Sequence, residues 1–186
     1  MQKLAQIIIL SLIFFTNVSA ETRDNELNNL FKQLKISKNK EAIEIENKIW
    51  KIWITHPSDD RRGYRLTELL AQGSFLINQN KFNKAYGIFS QIILEDPKWP
   101  EAWNKRATVL YLMGNYEQSQ NDINEVLKLE KRHFGALSGQ ALVQTKLKNY
   151  KEAIKSYKEV EKIYPNLEAP KIMIPRLKKL IKEQSI

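Results

Sequence analysis

A short pattern returns at a fixed distance of 34 residues: Asn80-Lys81-Phe82, Gly114-Asn115-Tyr116 and Lys148-Asn149-Tyr150. A period of this length constrains the fold before any helix is read, because each unit is too small to bury its own apolar face and must stack on its neighbours. Other positions keep the same phase: Leu69/Trp103/Leu137, Gly73/Ala107/Ala141, Ala85/Ser119/Ala153, Phe89/Ile123/Tyr157 and Ile92/Val126/Val160. Pro97 and Pro165 close the first and third units, with Lys131 in that place in the second. Three units follow without insertion, 66–99, 100–133 and 134–167.

Each unit reads as two amphipathic helices and a tight turn. In the second, Trp103, Ala107 and Leu110 share one face at i, i+4, i+7 spacing, and small Ala107 admits a close neighbour. Gly114-Asn115 supplies the turn, where left-handed backbone costs little. The returning helix turns Ser119, Ile123, Val126 and Leu127 inward.

These residues resemble the tetratricopeptide repeat, with a large apolar residue at position 4, a small one at 8, Ala at 20, an aromatic at 24 and Pro at 32. The match covers 66–167. The sequence departs from the pattern at Arg106, Gln140, Gln144 and Ser119, and carries bulky Ile92, Val126 and Val160 at position 27. The resemblance implies an all-α, right-handed superhelix of antiparallel helix pairs with N- and C-terminal capping helices. It also implies a concave groove lined by the first helix of every pair. Carried over, the candidate partner-binding residues are Ser74, Asn78, Asn104, Lys105, Thr108, Tyr111, Ser138 and Lys146. Chaperone-binding members of the family grip a peptide's terminal carboxylates with a five-residue clamp of Lys, Asn and Arg; here those positions hold Leu70, Ser74, Lys105, Gly135 and Gly139. Only the lysine remains, so a segment with apolar side chains is the expected occupant.

The flanks read as follows. Residues 1–20 open with Lys3, run apolar from Ile7 to Phe15, turn polar at Thr16-Asn17 and end Val18-Ser19-Ala20. That is the three-part pattern of a secretory signal peptide with cleavage before Glu21, and the apolar run is shorter than a bilayer span. Residues 21–65 form an N-terminal segment: helices over 24–35 and 39–55, then a polar connector at 56–63. Trp50 and Trp53 are expected on the face that covers the first repeat. Residues 168–186 form a C-terminal capping helix, with Pro170 in its first turn and Pro175 kinking or restarting it.

Composition narrows the chemistry. The chain has no Cys and only His56 and His133, which removes disulfides, thiolate metal sites, cysteine nucleophiles and a three-histidine metal site. No phosphate loop, nucleophile elbow or His-Glu-x-x-His occurs. Ser138, between Leu137 and Gly139, lies inside a repeat helix, and both histidines read as helix-end residues. The formal charge of +9 comes from lysines dispersed through the chain without a basic block, which gives no nucleic-acid partner. The expectation is a periplasmic, non-enzymatic adaptor without cofactor or metal, binding another protein or peptide in cell-envelope assembly or maturation. A membrane-surface protein held by an uncleaved N-terminus and a glycan-binding module using tryptophans are the less favoured readings.

Overall fold

A computed structural model describes residues 21–184; the expected leader at 1–20 lies outside the described residues. Among these the chain is helical throughout: α1 (21–36), α2 (Asn39–Ile54), α3 (Arg61–Asn78), α4 (Phe82–Glu95), α5 (Pro100–Leu112), α6 (Tyr116–Leu129), α7 (Phe134–Lys146), α8 (Tyr150–Ile163) and α9 (Glu168–Glu183). The pairs α3/α4, α5/α6 and α7/α8 are the three repeat units, each closed by a turn at the same phase. Those turns place Asn80, Gly114 and Lys148 at φ 57°, 81° and 61°. Glycine takes this left-handed conformation freely and asparagine tolerates it, whereas at Lys148 it is held against the usual preference.

The in-phase apolar positions form the interior. Ala85, Phe89, Ile92, Val126, Ala136, Val143, Ala153 and Val160 are all fully buried. The departures from the pattern are satisfied in polar pairs between the two helices of a unit or between units. Arg106 forks onto Asp122 at 2.7 and 2.8 Å and reaches Ser90, while the Ser156 hydroxyl donates to Gln140 at 2.9 Å. Gln144 donates to Gln120 at 2.7 Å, and Ser119 to the Ala107 carbonyl at 2.8 Å. A buried polar side chain with a partner costs far less than an orphaned one, so the stack absorbs these substitutions.

Two boundaries differ from the expectation. Helix α3 starts at Arg61, inside the expected connector, because Asp60 accepts the Gly63 amide at 2.7 Å and caps the helix there. Helix α9 runs unbroken through Pro175. That proline is exposed, so its ring and the carbonyl it leaves unpaired meet water rather than a packed neighbour.

The N-terminal hairpin α1–α2 also takes a different seat. Instead of covering the first repeat, it lies along the edge where the links between units run. Its Leu27, Leu30, Phe31, Leu34, Ile45, Ile49 and Trp53 share one core with Phe134, Leu137, Val160 and Tyr164 of the third unit. The Trp99 indole donates to the Trp53 carbonyl at 2.9 Å, Arg132 to Asn28 at 2.7 Å, and the Tyr164 hydroxyl to Glu46 at 3.0 Å. Asn166 bonds the Ser37 carbonyl. The hairpin thus ties all three links together. The physical reason is the supply of apolar surface: the flank of α3 offers exposed Glu68 and Gln72, where α5 and α7 carry fully buried Ala102 and Ala136 at the phase of Glu68.

Helix α9 is in phase with the first helices of the units. Pro170, Ile174 and Leu177 face α7–α8, with Leu177 fully buried among Ala141, Ala153 and Tyr157. Leu177→Ala should therefore lower the unfolding free energy by about 3 kcal/mol, the usual scale for a fully buried leucine. Urea denaturation followed by circular dichroism measures it; a change under about 1 kcal/mol would show that α9 is not a cap.

Candidate concave groove and its buried carboxylate

The first helices α3, α5 and α7 place the expected groove residues along one side of the stack, but they do different work there. The Ser74 hydroxyl donates to its own helix at Leu70, and Thr108 likewise to Asn104. Asn78 and Lys146 are exposed near the ends of α3 and α7. Asn104 is buried and donates to Glu101 at 3.3 and 3.2 Å, and Lys105 is paired with the same carboxylate at 3.3 Å. The Ser138 hydroxyl is buried without a partner.

Glu101 organises this region. Its carboxylate is completely buried and also receives His133 Nε2 at 3.0 Å. His133 Nδ1 accepts the Ala136 amide at 3.0 Å, which leaves the ring hydrogen on Nε2, facing the acid. Burial pushes the Glu101 carboxyl up, but the hydrogen bond from His133, the Lys105 charge and the Asn104 amide outweigh it and hold the group below its ordinary value of 4.5. Above the imidazole, the Trp53 ring stacks at 3.9 Å with 8° between planes, and Trp50 meets it edge-on at 5.6 Å. His133 is thus an N-cap of α7 and the bridge between hairpin and stack. It does not sit at a helix C-terminus.

His56 repeats the arrangement at the first link. Its Nδ1 accepts the Ser58 amide at 3.1 Å and its Nε2 meets Asp96 at 2.8 Å, with Trp99 edge-on to the ring. Nothing local in the sequence marks the shared pattern, because the acidic partners lie 40 and 32 residues away. All four tryptophans are engaged within the fold: Trp53 and Trp99 are buried, Trp50 is held by His133 and Phe134, and Trp103 donates to the Pro97 carbonyl under Arg106.

Next to the hairpin the groove stays open. A cleft of about 80 Å³ between α5 and α7 is lined by Ala107, Ile123, Gly135, Gly139 and Leu142, with Asn104, Thr108, Tyr111 and Ser119 among its walls. Of the expected residues it gathers Asn104, Thr108 and Tyr111; Ser74, Asn78, Lys105, Ser138 and Lys146 lie outside its lining. The two glycines differ. A Cβ on Gly135 would stand 2.6 Å from the Trp50 ring, so that glycine seats the hairpin. On Gly139 it would meet only Ile123, at 3.7 Å, so there the missing side chain leaves room.

Known proteins share the fold. A tetratricopeptide-repeat-containing protein of Rhizobium etli is 33% identical over 156 residues, spanning 80% of this chain and 74% of its own. The family model of the anaphase-promoting complex (cyclosome) subunit 3 matches residues 78–160. Among solved structures, the first tetratricopeptide domain of Spaghetti (RPAP3), bound to the HSP90 peptide SRMEEVD, has a TM-score of 0.61 at 20% identity, covering 63% of this chain and 93% of that one. The Sgt2 domain from Aspergillus fumigatus has a TM-score of 0.61 at 20% identity, covering 65% and 82%. The fold is that of a stacked helix-pair repeat. The chain belongs to the tetratricopeptide-repeat family.

The Glu101 node makes a prediction. A carboxyl whose folded pKa lies below its unfolded value adds stability above that value, and the gain disappears as the pH falls through the folded one. Replacing Glu101 by Gln should thus lower stability at neutral pH and flatten its decline from about pH 5 downward. Glu101→Ala should cost about 3 kcal/mol or more, because Lys105 and His133 lose their buried partner. Urea titrations at neutral and acid pH compare the three proteins, and parallel declines would remove Glu101 from the acid sensitivity.

Proposed function

We propose that this chain is an exported adaptor of the periplasm that holds a segment of another protein in its concave groove, in cell-envelope assembly or maturation. The observation that carries the binding role is the open cleft at Gly139, walled by aliphatic side chains and flanked by Tyr111. Such a cleft fits one aliphatic side chain of an extended or helical segment, with Tyr111 and Thr108 left to contact its backbone. The first Spaghetti (RPAP3) domain, solved with an HSP90 peptide bound, supports a peptide partner for this groove. The partner's chemistry differs here, since Leu70, Ser74, Gly135 and Gly139 replace the carboxylate clamp and Glu101 already neutralises Lys105. Export rests on the sequence of residues 1–20, with its short apolar run and Val18-Ser19-Ala20. Among the described residues no helix is long and apolar enough to cross a membrane.

Gly139→Leu fills the cleft from inside a helix where leucine is the better helix former. It should abolish capture of the partner while leaving the melting temperature unchanged or higher. Tyr111→Ala should weaken the same binding by about 2 kcal/mol, on the hot-spot scale. Lys105 is a poor probe, because Lys105→Glu would set a second acid beside buried Glu101. Affinity purification from the native envelope, with wild type and Gly139→Leu side by side, tests the reading. A partner captured equally by both would place its contact elsewhere. Independently, N-terminal sequencing of the exported protein should begin at Glu21, and a start at Met1 would refute cleavage.

A further inference from the structure

The lysines scattered through the sequence gather at one end of the structure. Residues 146–186 hold eleven Lys and Arg against five Glu, which is +6 of the chain's +9. Along α8 the outward stripe reads Lys151, Lys155, Lys158 and Lys162, all exposed. At the same phase α6 has Glu117, Asn121, Asn124 and Lys128, and α4 has Asn83, Gly87, Ser90 and Leu94. The repeat therefore does not require lysine at these positions. On α9 the face that packs on a partner helix in α3, α5 and α7 is open and carries Lys171, Pro175, Lys178 and Lys182.

These two faces adjoin. Tyr150 and Ile154 of α8 pack with Met173 and Ile174 of α9, and Lys148 and Lys151 line one surface concavity with Ile181 and Gln184. Among the described residues Lys148, Lys151, Lys158, Lys178 and Lys182 have no carboxylate within 4 Å. Lys155, Lys162 and Lys171 pair only with exposed glutamates one turn away, at 3.7, 2.6 and 3.7 Å. Such pairs are weak and leave much of the positive field unscreened.

We infer that the α8–α9 surface docks the protein on an anionic lipid bilayer. Lysine is a flexible point charge that needs no matched geometry, and a spread of lysines over two adjoining helices suits a diffuse sheet of negative headgroups. A nucleic-acid site would call for forked arginines and stacking rings; this surface has one arginine, Arg176, and no exposed aromatic side chain. The docking surface is separate from the α5–α7 cleft, so a seated protein keeps its groove available. It does not depend on the groove having a partner.

Vesicle co-sedimentation of the full chain tests this, using phosphatidylcholine vesicles with and without about one third phosphatidylglycerol. The wild type should partition at least about tenfold more strongly onto the anionic vesicles, and lose that preference in about 0.5 M salt. The quadruple change Lys151→Gln, Lys155→Gln, Lys178→Gln and Lys182→Gln should remove most of the preference with an unchanged melting curve. The apolar segment at residues 7–15 is common to both proteins, so the difference reports the lysines. A control with Lys32, Lys35, Lys48 and Lys51 changed to Gln, exposed on α1 and α2, should keep it. Equal partition on neutral vesicles, equal loss in the control, or tighter binding to a DNA duplex than to anionic vesicles would each overturn the inference.

Discussion

The arrangement of this protein turns on one buried carboxylate. Glu101 sits at the start of α5 with no access to water, and it is retained only because His133, Lys105 and Asn104 surround it. An ionised group so placed is strongly unfavourable without partners, and each partner it recruits is fixed in turn. His133 is thereby locked as the N-cap of α7, and its ring face becomes the platform on which Trp53 stacks. A single acid thus sets the link between the second and third units and the seat of the N-terminal hairpin.

That seat changes what the concave side can be. In a bare stack the whole row of first helices would be open to a ligand. Here α1 and α2 bridge the three links, and Trp50 occupies the space over Gly135. The groove is divided into a filled part, held by the protein itself, and an open cleft at Gly139. Lys105 belongs to the filled part through Glu101 and Trp50, so its charge serves the fold. The remaining cleft is small and mostly apolar, and in the proposed role it would take one inserted side chain rather than a charged group.

The two ends of the stack are finished differently. At the C-terminal end α9 buries Pro170, Ile174 and Leu177 and presents lysines where a further helix would pack, an effective stop to stacking. At the N-terminal end α3 presents Arg65, Glu68 and Gln72, yet also Phe75, 60% exposed at the phase where Val109 and Val143 are fully buried. Polar residues at both ends keep the array from extending. The C-terminal end alone concentrates charge of one sign.

Much of this was legible in the sequence because the repeat is a local and periodic code. The 34-residue phase named the three helix pairs and the turns at Asn80, Gly114 and Lys148, and it marked Phe89, Ile92, Val126 and Val160 as interior, since helix periodicity is written in near neighbours. The family resemblance, read at Leu70, Ser74, Lys105, Gly135 and Gly139, also implied the loss of the clamp. Tertiary structure decided the rest. The distances from His133 to Glu101, from Trp53 to His133 and from Tyr164 to Glu46 join residues 32, 80 and 118 positions apart with no shared periodicity, so nothing local announces them. The same holds for the lysines, which look scattered along the chain because helices α8 and α9 bring them to one surface only when packed side by side. Local pattern determined which segments are helices and which faces are apolar; where the hairpin sits, which glycine is filled and where the charge collects were decided by the competition for buried surface among distant parts of the chain.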